Sequence, residues 1–162
     1  MKRLSSYSMN LLTITAVAGL FSLCASCGTR DIMQVKQYHL RSIDTVDMKQ
    51  APMVRGEQMY RMRGAVSKEE RSQRLGQYYS VRWENSNEAQ GPLKIIMNYN
   101  QAATGSKVLT MSQDLPAEET SGLVEFSISG EAYRTGGRVL AWRIRMMSGN
   151  DVLSEKRSYM WK

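Results

Sequence analysis

Thiols and imidazoles are scarce in this chain of 162 residues. Its two cysteines, Cys24 and Cys27, lie close together near the N-terminus, and His39 is its single histidine. Protein zinc sites draw mainly on these two residue types, so a His/Cys metal centre is excluded within the chain. A Cys–His or Ser–His–Asp relay is excluded as well unless His39 serves in it, and no serine or aspartate pattern surrounds that residue. We therefore predict no metal and no cofactor, and we expect His39 to be an exposed polar residue.

Signatures of catalysis are also missing. The chain has no glycine-rich phosphate loop and no Gly-x-Ser-x-Gly, and Gly136-Gly137 is interpreted as the turn before a strand. Glu69-Glu70 and Glu118-Glu119 are adjacent carboxylate pairs, but neighbouring side chains point apart. Glycoside hydrolysis requires two carboxylates that face one cleft, about 5–10 Å apart. We predict a protein that is not an enzyme and has no catalytic residue, with a carboxylate-dependent hydrolase as an alternative.

Long apolar runs are absent except near the N-terminus. Lys2 and Arg3 precede an apolar run at 11–21, and no further charge occurs before Arg30. The run is shorter than the roughly 20 residues that a bilayer span requires, and it has the size of the apolar part of an export signal. Small residues then lead to a cysteine in the sequence Cys24-Ala25-Ser26-Cys27.

This stretch resembles the bacterial lipoprotein signal, in which a peptidase cuts just before a cysteine that carries a diacylglycerol. Ala25 and Ser26 are the small residues that the pattern has before that cysteine. Cys24 stands where leucine is usual, and Leu23 lies one place further back. The resemblance implies a signal peptide at residues 1–26 and lipidation of Cys27. A plain secretory signal cut near Ala25 or Ser26, or an uncleaved membrane anchor, are the alternatives.

The same resemblance implies a location in the cell envelope. Gly28 follows the cysteine, whereas aspartate at this place often marks retention in the inner membrane. The implied location is therefore the outer membrane, on its periplasmic or its surface face.

Basic residues outnumber acidic residues. Removing residues 1–26 takes away Lys2 and Arg3, so the formal net charge falls from +7 to +5. A basic domain is attracted to anionic lipid headgroups, acidic glycans or an acidic partner protein. An exported, membrane-tethered protein rarely meets nucleic acid, so no nucleic-acid partner is predicted.

The segment after the cysteine lacks a sustained period. Residues 27–52 are predicted to be the lipidated cysteine and a flexible tether, which gains a short strand around Val35–Leu40. Ala51-Pro52 introduces the folded part, because a residue before proline is pushed to extended conformations. The pattern of Glu57–Arg63 then indicates a first strand, stopped at Gly64.

One short helix is predicted over Lys68–Leu75. Ser67 and Glu70 have the spacing of a capping box, in which each residue bonds the backbone of the other. Gly76 is the expected left-handed stop at its C-terminus.

Alternation of apolar and polar residues predicts strands through the rest of the chain. In the first of them, Gln77–Trp83, the side chains of Tyr79, Val81 and Trp83 share one face. The later predicted strands are Leu93–Tyr99, Lys107–Ser112, one around Val124–Ile128, Arg138–Met147 and a returning strand Val152–Trp161. About seven short strands favour an all-β fold, a single antiparallel β-sandwich over residues 53–162 with one short helix.

The strand order resembles the immunoglobulin and fibronectin type III superfold. In that resemblance Trp83 lies on an early core strand, and Tyr133 lies near a corner before Arg138–Met147. The disulfide of antibody domains is absent, and a small barrel of the same strand count is an alternative. The Tyr-Tyr-x-Val-x-Trp stretch at 78–83 and the closing Ser-Tyr-Met-Trp also look like features of uncharacterised small bacterial lipoproteins, which brings no known activity.

The last long strand carries the candidate site. Its apolar side chains are predicted to face the core: Leu140, Trp142, Ile144 and Met146. Arg143 and Arg145 then lie on the outward face, two residues apart and on the same side. Neighbouring strands add Lys156, Arg157 or Lys94, depending on register.

Arginine suits bidentate contact with carboxylate or phosphate groups. We therefore predict Arg143, Arg145 and Lys156 as contacts to an anionic ligand or a partner. In the alternative interpretation they are solubilising residues paired with Glu155 or Glu125.

Three functions remain open at this point. The first is a membrane-anchored, non-enzymatic cell-envelope module, binding or structural, that docks a protein partner or another envelope element. The second is a lipoprotein that recognises an acidic glycan or an anionic lipid through the basic sheet face. The third is the hydrolase. The oligomeric state is left open by the sequence.

Overall fold

The computed structural model describes residues 31–44, 48–85 and 91–162. The predicted signal peptide and the predicted lipidation site at Cys27 lie outside the described residues.

Within those residues the chain forms seven strands. They are β1 (Met33–Leu40), β2 (Gly76–Glu84), β3 (Leu93–Gln101), β4 (Leu109–Asp114), β5 (Ser121–Ser129), β6 (Val139–Ser148) and β7 (Asp151–Arg157). All recorded pairings are antiparallel. One sheet has three strands in the order β1-β2-β5, and the other has four in the order β4-β3-β6-β7.

Short helices complete the described part of the fold. They are α1 (Pro52–Met62), α2 (Lys68–Arg74) and α3 (Gly130–Gly136), with a single 3-10 turn at Ala102–Thr104. The prediction of a mostly β protein built from antiparallel sheets is confirmed.

The two sheets bury their inner faces in one core. On β2 the predicted inward set is confirmed, because Tyr79, Val81 and Trp83 are fully buried. The same cluster takes alternate residues from both sheets, among them Ile95, Met97, Phe126, Ile128, Ile144 and Met146. Successive side chains of a strand point to opposite faces, so every second residue lies on the same face. This is why an apolar residue at every second position predicted the buried face from the sequence.

Helix α2 confirms the predicted helix and its capping box. The backbone N–H of Glu70 donates to Ser67 Oγ at 3.0 Å, and the backbone N–H of Ser67 donates to Glu70 Oε2 at 3.0 Å. The expected glycine stop is wrong, because Leu75 caps the helix in an extended conformation and Gly76 begins β2.

The predicted strand over Glu57–Arg63 is wrong, because those residues fall almost entirely within α1. Pro52 occupies the first turn of that helix, where a missing N–H costs nothing. Within the helix Arg61 pairs with Glu57 at i,i+4 spacing, with a separation of 2.8 Å. Helical geometry brings these two side chains together, whereas an extended strand would hold them well apart.

The strand expected within the tether is longer and belongs to a sheet. Strand β1 begins at Met33 and pairs with β2 along its whole length, from Met33 opposite Trp83 to Leu40 opposite Gly76. Both of its end residues are buried. The folded unit therefore extends to Ile32, and the expected boundary at residue 53 lies inside it.

The alternation predicted for β6 fails at its start. Val139 is buried and Leu140 is half exposed, the reverse of the expectation. The register against β3 shifts here, since Ala141 pairs with Asn100 but Val139 pairs with Gln101. This bulge leaves Leu140 out of the ladder and turns it towards solvent.

The last strand ends at Arg157, earlier than predicted. Beyond it Ser158 adds one more in-register bond to β6, because its backbone N–H donates to the Trp142 carbonyl at 2.9 Å. The Ser158 hydroxyl in turn accepts the N–H of Trp142 at 3.0 Å. A turn then ends the hairpin, and in it the backbone N–H of Trp161 donates to the Ser158 carbonyl at 3.1 Å.

Candidate functional site: a guanidinium face on the four-stranded sheet

Arg143 and Arg145 lie on the outer face of the four-stranded sheet. They flank Ile144, which is fully buried in the core, so both guanidinium groups emerge on the side away from it. In the ladder Arg143 lies opposite Asn98 of β3, and Arg145 lies opposite Ile96. Two cations about 7 Å apart therefore stand on a rigid strand at the middle of the sheet.

A polar chain orients the second guanidinium. Arg145 Nη2 donates to Asn98 Oδ1 at 3.3 Å. Asn98 Nδ2 donates to Thr110 Oγ1 on β4 at 2.9 Å. Since the Asn98 amide is bonded on both sides, it holds its oxygen towards Arg145.

An aromatic ring contacts the first guanidinium. The turn after β7 brings Trp161 over the sheet, and Arg143 Cζ lies 5.1 Å from the centre of the Trp161 ring. A guanidinium in this position is attracted by the electron-rich face of the indole. We call the surface formed by Arg143, Arg145, Asn98 and Trp161 the guanidinium face.

Both arginines have an unused buried donor. The Nε atoms of Arg143 and Arg145 are buried and make no hydrogen bond to any residue that the structure describes. A carboxylate that approaches a guanidinium side-on accepts from Nε and one Nη together. In the guanidinium face, the Nε donors of both arginines thus have no acceptor among the described residues.

Within the described residues neither Arg143 nor Arg145 makes the ion pair expected in the alternative interpretation. Glu125 lies on the other sheet, where it accepts two hydrogen bonds from Arg61, at 2.6 and 3.0 Å. Glu155 is opposite Arg145 in the ladder, yet in the described part of the chain no salt bridge of either arginine is found.

The register separates the third predicted contact from the first two. Lys156 pairs with the core residue Ile144, which places it on the inner face of the sheet. Arg157 instead lies opposite Arg143 and is exposed. Lys94 is on the outer face but binds Asp114 at 3.1 Å. The structure thus brings together Arg143, Arg145 and Arg157, and it leaves Lys156 apart.

His39 is half-buried, so the expectation of an exposed residue is wrong. Its Nδ1 accepts from Arg41 Nε at 3.0 Å, and its Nε2 lies 2.7 Å from the hydroxyl of Tyr133. Tyr133 belongs to α3 rather than to a strand corner. Burial lowers the pKa of His39, and the positive charges of Arg41 and Arg138 lower it further. The neutral imidazole thus connects β1 to α3.

Acidic residues are among those that line a cavity of about 290 Å³ beside β4 and β5. Its lining includes Asp114, Glu119 and Glu125. Asp114 is bound to Lys94, and the hydrogen bond from Arg61 holds the pKa of Glu125 below its usual range. A glycosidase acid needs a raised pKa, so Glu125 is placed to stay a bound carboxylate rather than to donate a proton.

The described residues hold neither a metal-binding cluster nor a membrane-spanning helix. No three histidine, cysteine, aspartate or glutamate side chains there are grouped to hold a metal ion. None of the helices there combines the length and the hydropathy needed to cross a bilayer.

Comparison with protein-family models, with curated protein sequences and with solved structures finds no match to this chain. What the fold and the site define is a two-sheet antiparallel β protein with a cationic, aromatic-flanked sheet face.

Proposed function

We propose that this protein is an exported, lipid-anchored, non-enzymatic module of a bacterial cell envelope that binds a carboxylate-bearing envelope partner. The anchor is the predicted diacylglycerol on Cys27, at the outer membrane. The binding surface is the guanidinium face, and the partner is an acidic glycan or an acidic protein segment.

One observation carries the binding proposal: two adjacent arginines keep buried Nε donors without acceptors in the described part of the chain. An unbonded buried donor costs about 1–3 kcal/mol. A carboxylate that takes a guanidinium group side-on, once the arginine rotates to uncover its Nε, would recover that cost and add charge-assisted hydrogen bonds. Purely solubilising arginines on a sheet face would extend into water and leave no buried donor.

The strand order supports the finer assignment of the fold. If the seven strands are lettered A to G, the sheets read A-B-E and D-C-F-G. A constant-type immunoglobulin domain has the sheets A-B-E-D and C-F-G. Transfer of the fourth strand to the other sheet gives the fibronectin type III-like form of the sandwich, which we assign to this chain.

Binding is tested with the full-length protein, purified in detergent, and polygalacturonate as a soluble carboxylate polymer. We expect the double variant Arg143→Gln/Arg145→Gln to lose at least about tenfold in affinity, since each lost charge-assisted contact contributes about 1.5–3 kcal/mol. The matched control is Arg82→Gln/Lys107→Gln, which removes the same charge at exposed positions off this face. Equal losses in the two variants would reduce the binding to net charge and refute the proposal.

The anchor is tested separately by the intact mass of the native protein. We expect a chain that begins at Cys27 and carries the added mass of its acyl groups. A native chain without acyl mass that stays in solution when membranes are sedimented would contradict the anchor and leave the guanidinium face untouched.

A further inference from the structure

Helix α1 presents an apolar side to solvent. Met53, Met59 and Tyr60 expose 82%, 63% and 54% of their surface. A helix turns 100° per residue, so Met53, Gly56 and Tyr60 lie in one row, with Met59 beside it. A group of large, exposed apolar side chains is typical of a surface that contacts a protein or a membrane.

The opposite side of α1 is fixed to the three-stranded sheet. Arg61 is only 7% exposed. Its Nη1 and Nη2 donate to Glu125 of β5, and its Nε donates to Glu57 at 2.8 Å. Its guanidinium also lies 4.4 Å from the centre of the Tyr78 ring. Because this side is held by several bonds, the apolar side of α1 has one fixed outward direction.

Cations flank that outward side. Arg63 is exposed at the end of α1, 5.8 Å from the centre of the Tyr60 ring. Arg55 lies about two turns earlier and donates to the Met48 carbonyl at 2.8 Å. The single acidic residue of α1, Glu57, is paired with Arg61. Within α1 the apolar side chains are bordered by arginines and the one carboxylate is paired, which suits a surface of anionic lipid headgroups.

The position of β1 brings α1 within reach of the proposed anchor. Five residues lie between Cys27 and Met33, and the extended chain from one to the other spans at most about 20 Å. Arg61 contacts Ser80, which pairs with Lys36, three residues from Met33 along β1. That separation is about 10 Å, so α1 lies over the part of the sheet that the anchor keeps near the bilayer.

We propose that the outward side of α1, formed by Met53, Met59, Tyr60 and Arg63, is a second membrane contact that lies on anionic headgroups. This inference rests on the proposed anchoring at Cys27. A diacylglycerol alone already holds a chain at a bilayer, so a basic, apolar helix adds affinity for anionic lipid to that anchor. The contact also orients the domain, because α1 and the guanidinium face belong to different sheets.

The test uses the full acylated chain bound to phosphatidylcholine vesicles with or without phosphatidylglycerol. A solvent-sensitive thiol dye is attached to Met53→Cys, and in a second protein to Val152→Cys on the other sheet. The mature chain offers no competing thiol, because Cys24 is removed with the signal and the sulfur of Cys27 is in the thioether. Both label positions are exposed, so neither substitution disturbs the core.

We expect the dye at position 53 to shift to the blue and to lose at least about threefold in quenching by aqueous iodide on the phosphatidylglycerol vesicles. The dye at position 152 should stay in water. Arg63→Glu should reverse most of the shift at position 53, while Lys107→Glu, the same charge change off this surface, should leave it intact.

The outcomes separate the two proposals. Protein retained on the vesicles with both dyes in water would overturn the α1 contact and leave the anchor standing, as would equal effects of Arg63→Glu and Lys107→Glu. Protein that is neither acylated nor retained would overturn both.

Discussion

Gly76, the first residue of β2, occupies a position where only glycine fits. A Cβ there would meet the Ile128 carbonyl oxygen and the Cα of Ser129, and its φ is +158°. We expect Gly76→Ala to lower the free energy of unfolding by about 2 kcal/mol or more, because backbone atoms must move apart. The measurement is the urea midpoint.

Gly56 is the matched control for Gly76, and its replacement by alanine is expected to change the free energy of unfolding in the opposite direction. A Cβ at this position in α1 meets nothing within 4 Å. Gly56→Ala should therefore raise the free energy of unfolding by about 0.5–1 kcal/mol, through helix propensity and a less disordered unfolded chain. A loss of stability in Gly56→Ala equal to that in Gly76→Ala would refute the steric explanation.

His39 should make stability depend on pH. Its pKa is lowered in the fold, first by burial and then by Arg41 and Arg138, so between the folded and unfolded pKa values the unfolded chain binds the additional proton. The free energy of unfolding is then highest above the unfolded pKa of about 6.5 and falls as the pH drops towards the folded value. Urea midpoints across that range should decline.

The control for this pH effect is His39→Gln, which keeps a polar side chain but does not titrate. That variant should lose the decline between about pH 7 and pH 5, the range where histidine takes up its proton. Glu125, whose pKa is lowered by the Arg61 hydrogen bond, acts in a lower range and remains in both proteins. An unchanged slope in His39→Gln would contradict the assignment to His39.

At the scale of the element, Arg61 decides whether α1 stays on its sheet. Removing the guanidinium leaves Glu57 and Glu125 without their partner and exposes the Tyr78 ring. We expect Arg61→Met to reduce the free energy of unfolding by about 1–3 kcal/mol, below the cost of breaking a fully buried pair because Glu125 is partly exposed. Chemical denaturation measures the change.

Arg63→Met is the matched control on the same helix. It removes an equal charge from an exposed position, and it should change the free energy of unfolding by no more than about 0.5 kcal/mol. Similar losses in the two variants would mean that net charge, and not the contacts of Arg61, stabilises α1.

The same residue explains why α1 could not be predicted. Glu57–Arg63 contains apolar and charged residues that fit a strand and a helix about equally. The contact that holds this segment on the sheet as a helix joins Arg61 to Glu125, which are 64 residues apart in the chain. Strands β2 and β5 were predictable because Tyr79, Val81 and Trp83, and likewise Val124, Phe126 and Ile128, recur at every second residue, and α2 because its capping box is local.

The candidate site was predictable in part for a similar reason. Alternation along one strand places Arg143 and Arg145 on a common face. The exclusion of Lys156 depends on the register between β6 and β7, which shifts between Met146 and Met147. The contact of Trp161 depends on the bonds of Ser158 to Trp142. The alternation within a strand does not determine which residues of the neighbouring strand it pairs with. The position of Lys156 and the contact of Trp161 could therefore be found only from the structure.

For the whole molecule, the consequential difference lies at the start of the folded unit. Residues 33–40 form an edge strand with buried end residues, Met33 and Leu40, so only five residues lie between Cys27 and β1. With the proposed anchor at Cys27, so short a segment would keep the domain against the bilayer, whereas a tether reaching to residue 52 would let it move freely. The length of this connection therefore decides whether α1 can contact lipid while the guanidinium face points away from it.

Truncation tests this boundary directly. We expect a chain that starts at Asp31 to unfold cooperatively in urea. A chain that starts at Ala51 should lack a cooperative transition, because it loses β1, all backbone bonds of β2 on that side and the buried Met33 and Leu40. Removing two fully buried side chains of this size alone costs about 4–10 kcal/mol, comparable to the total stability of a small domain.

Circular dichroism with urea titration distinguishes the two chains. If the shorter chain unfolds cooperatively with the same midpoint as the longer one, β1 is not needed for the fold and belongs to the tether. The short connection that is proposed to hold α1 near the membrane would then be lost.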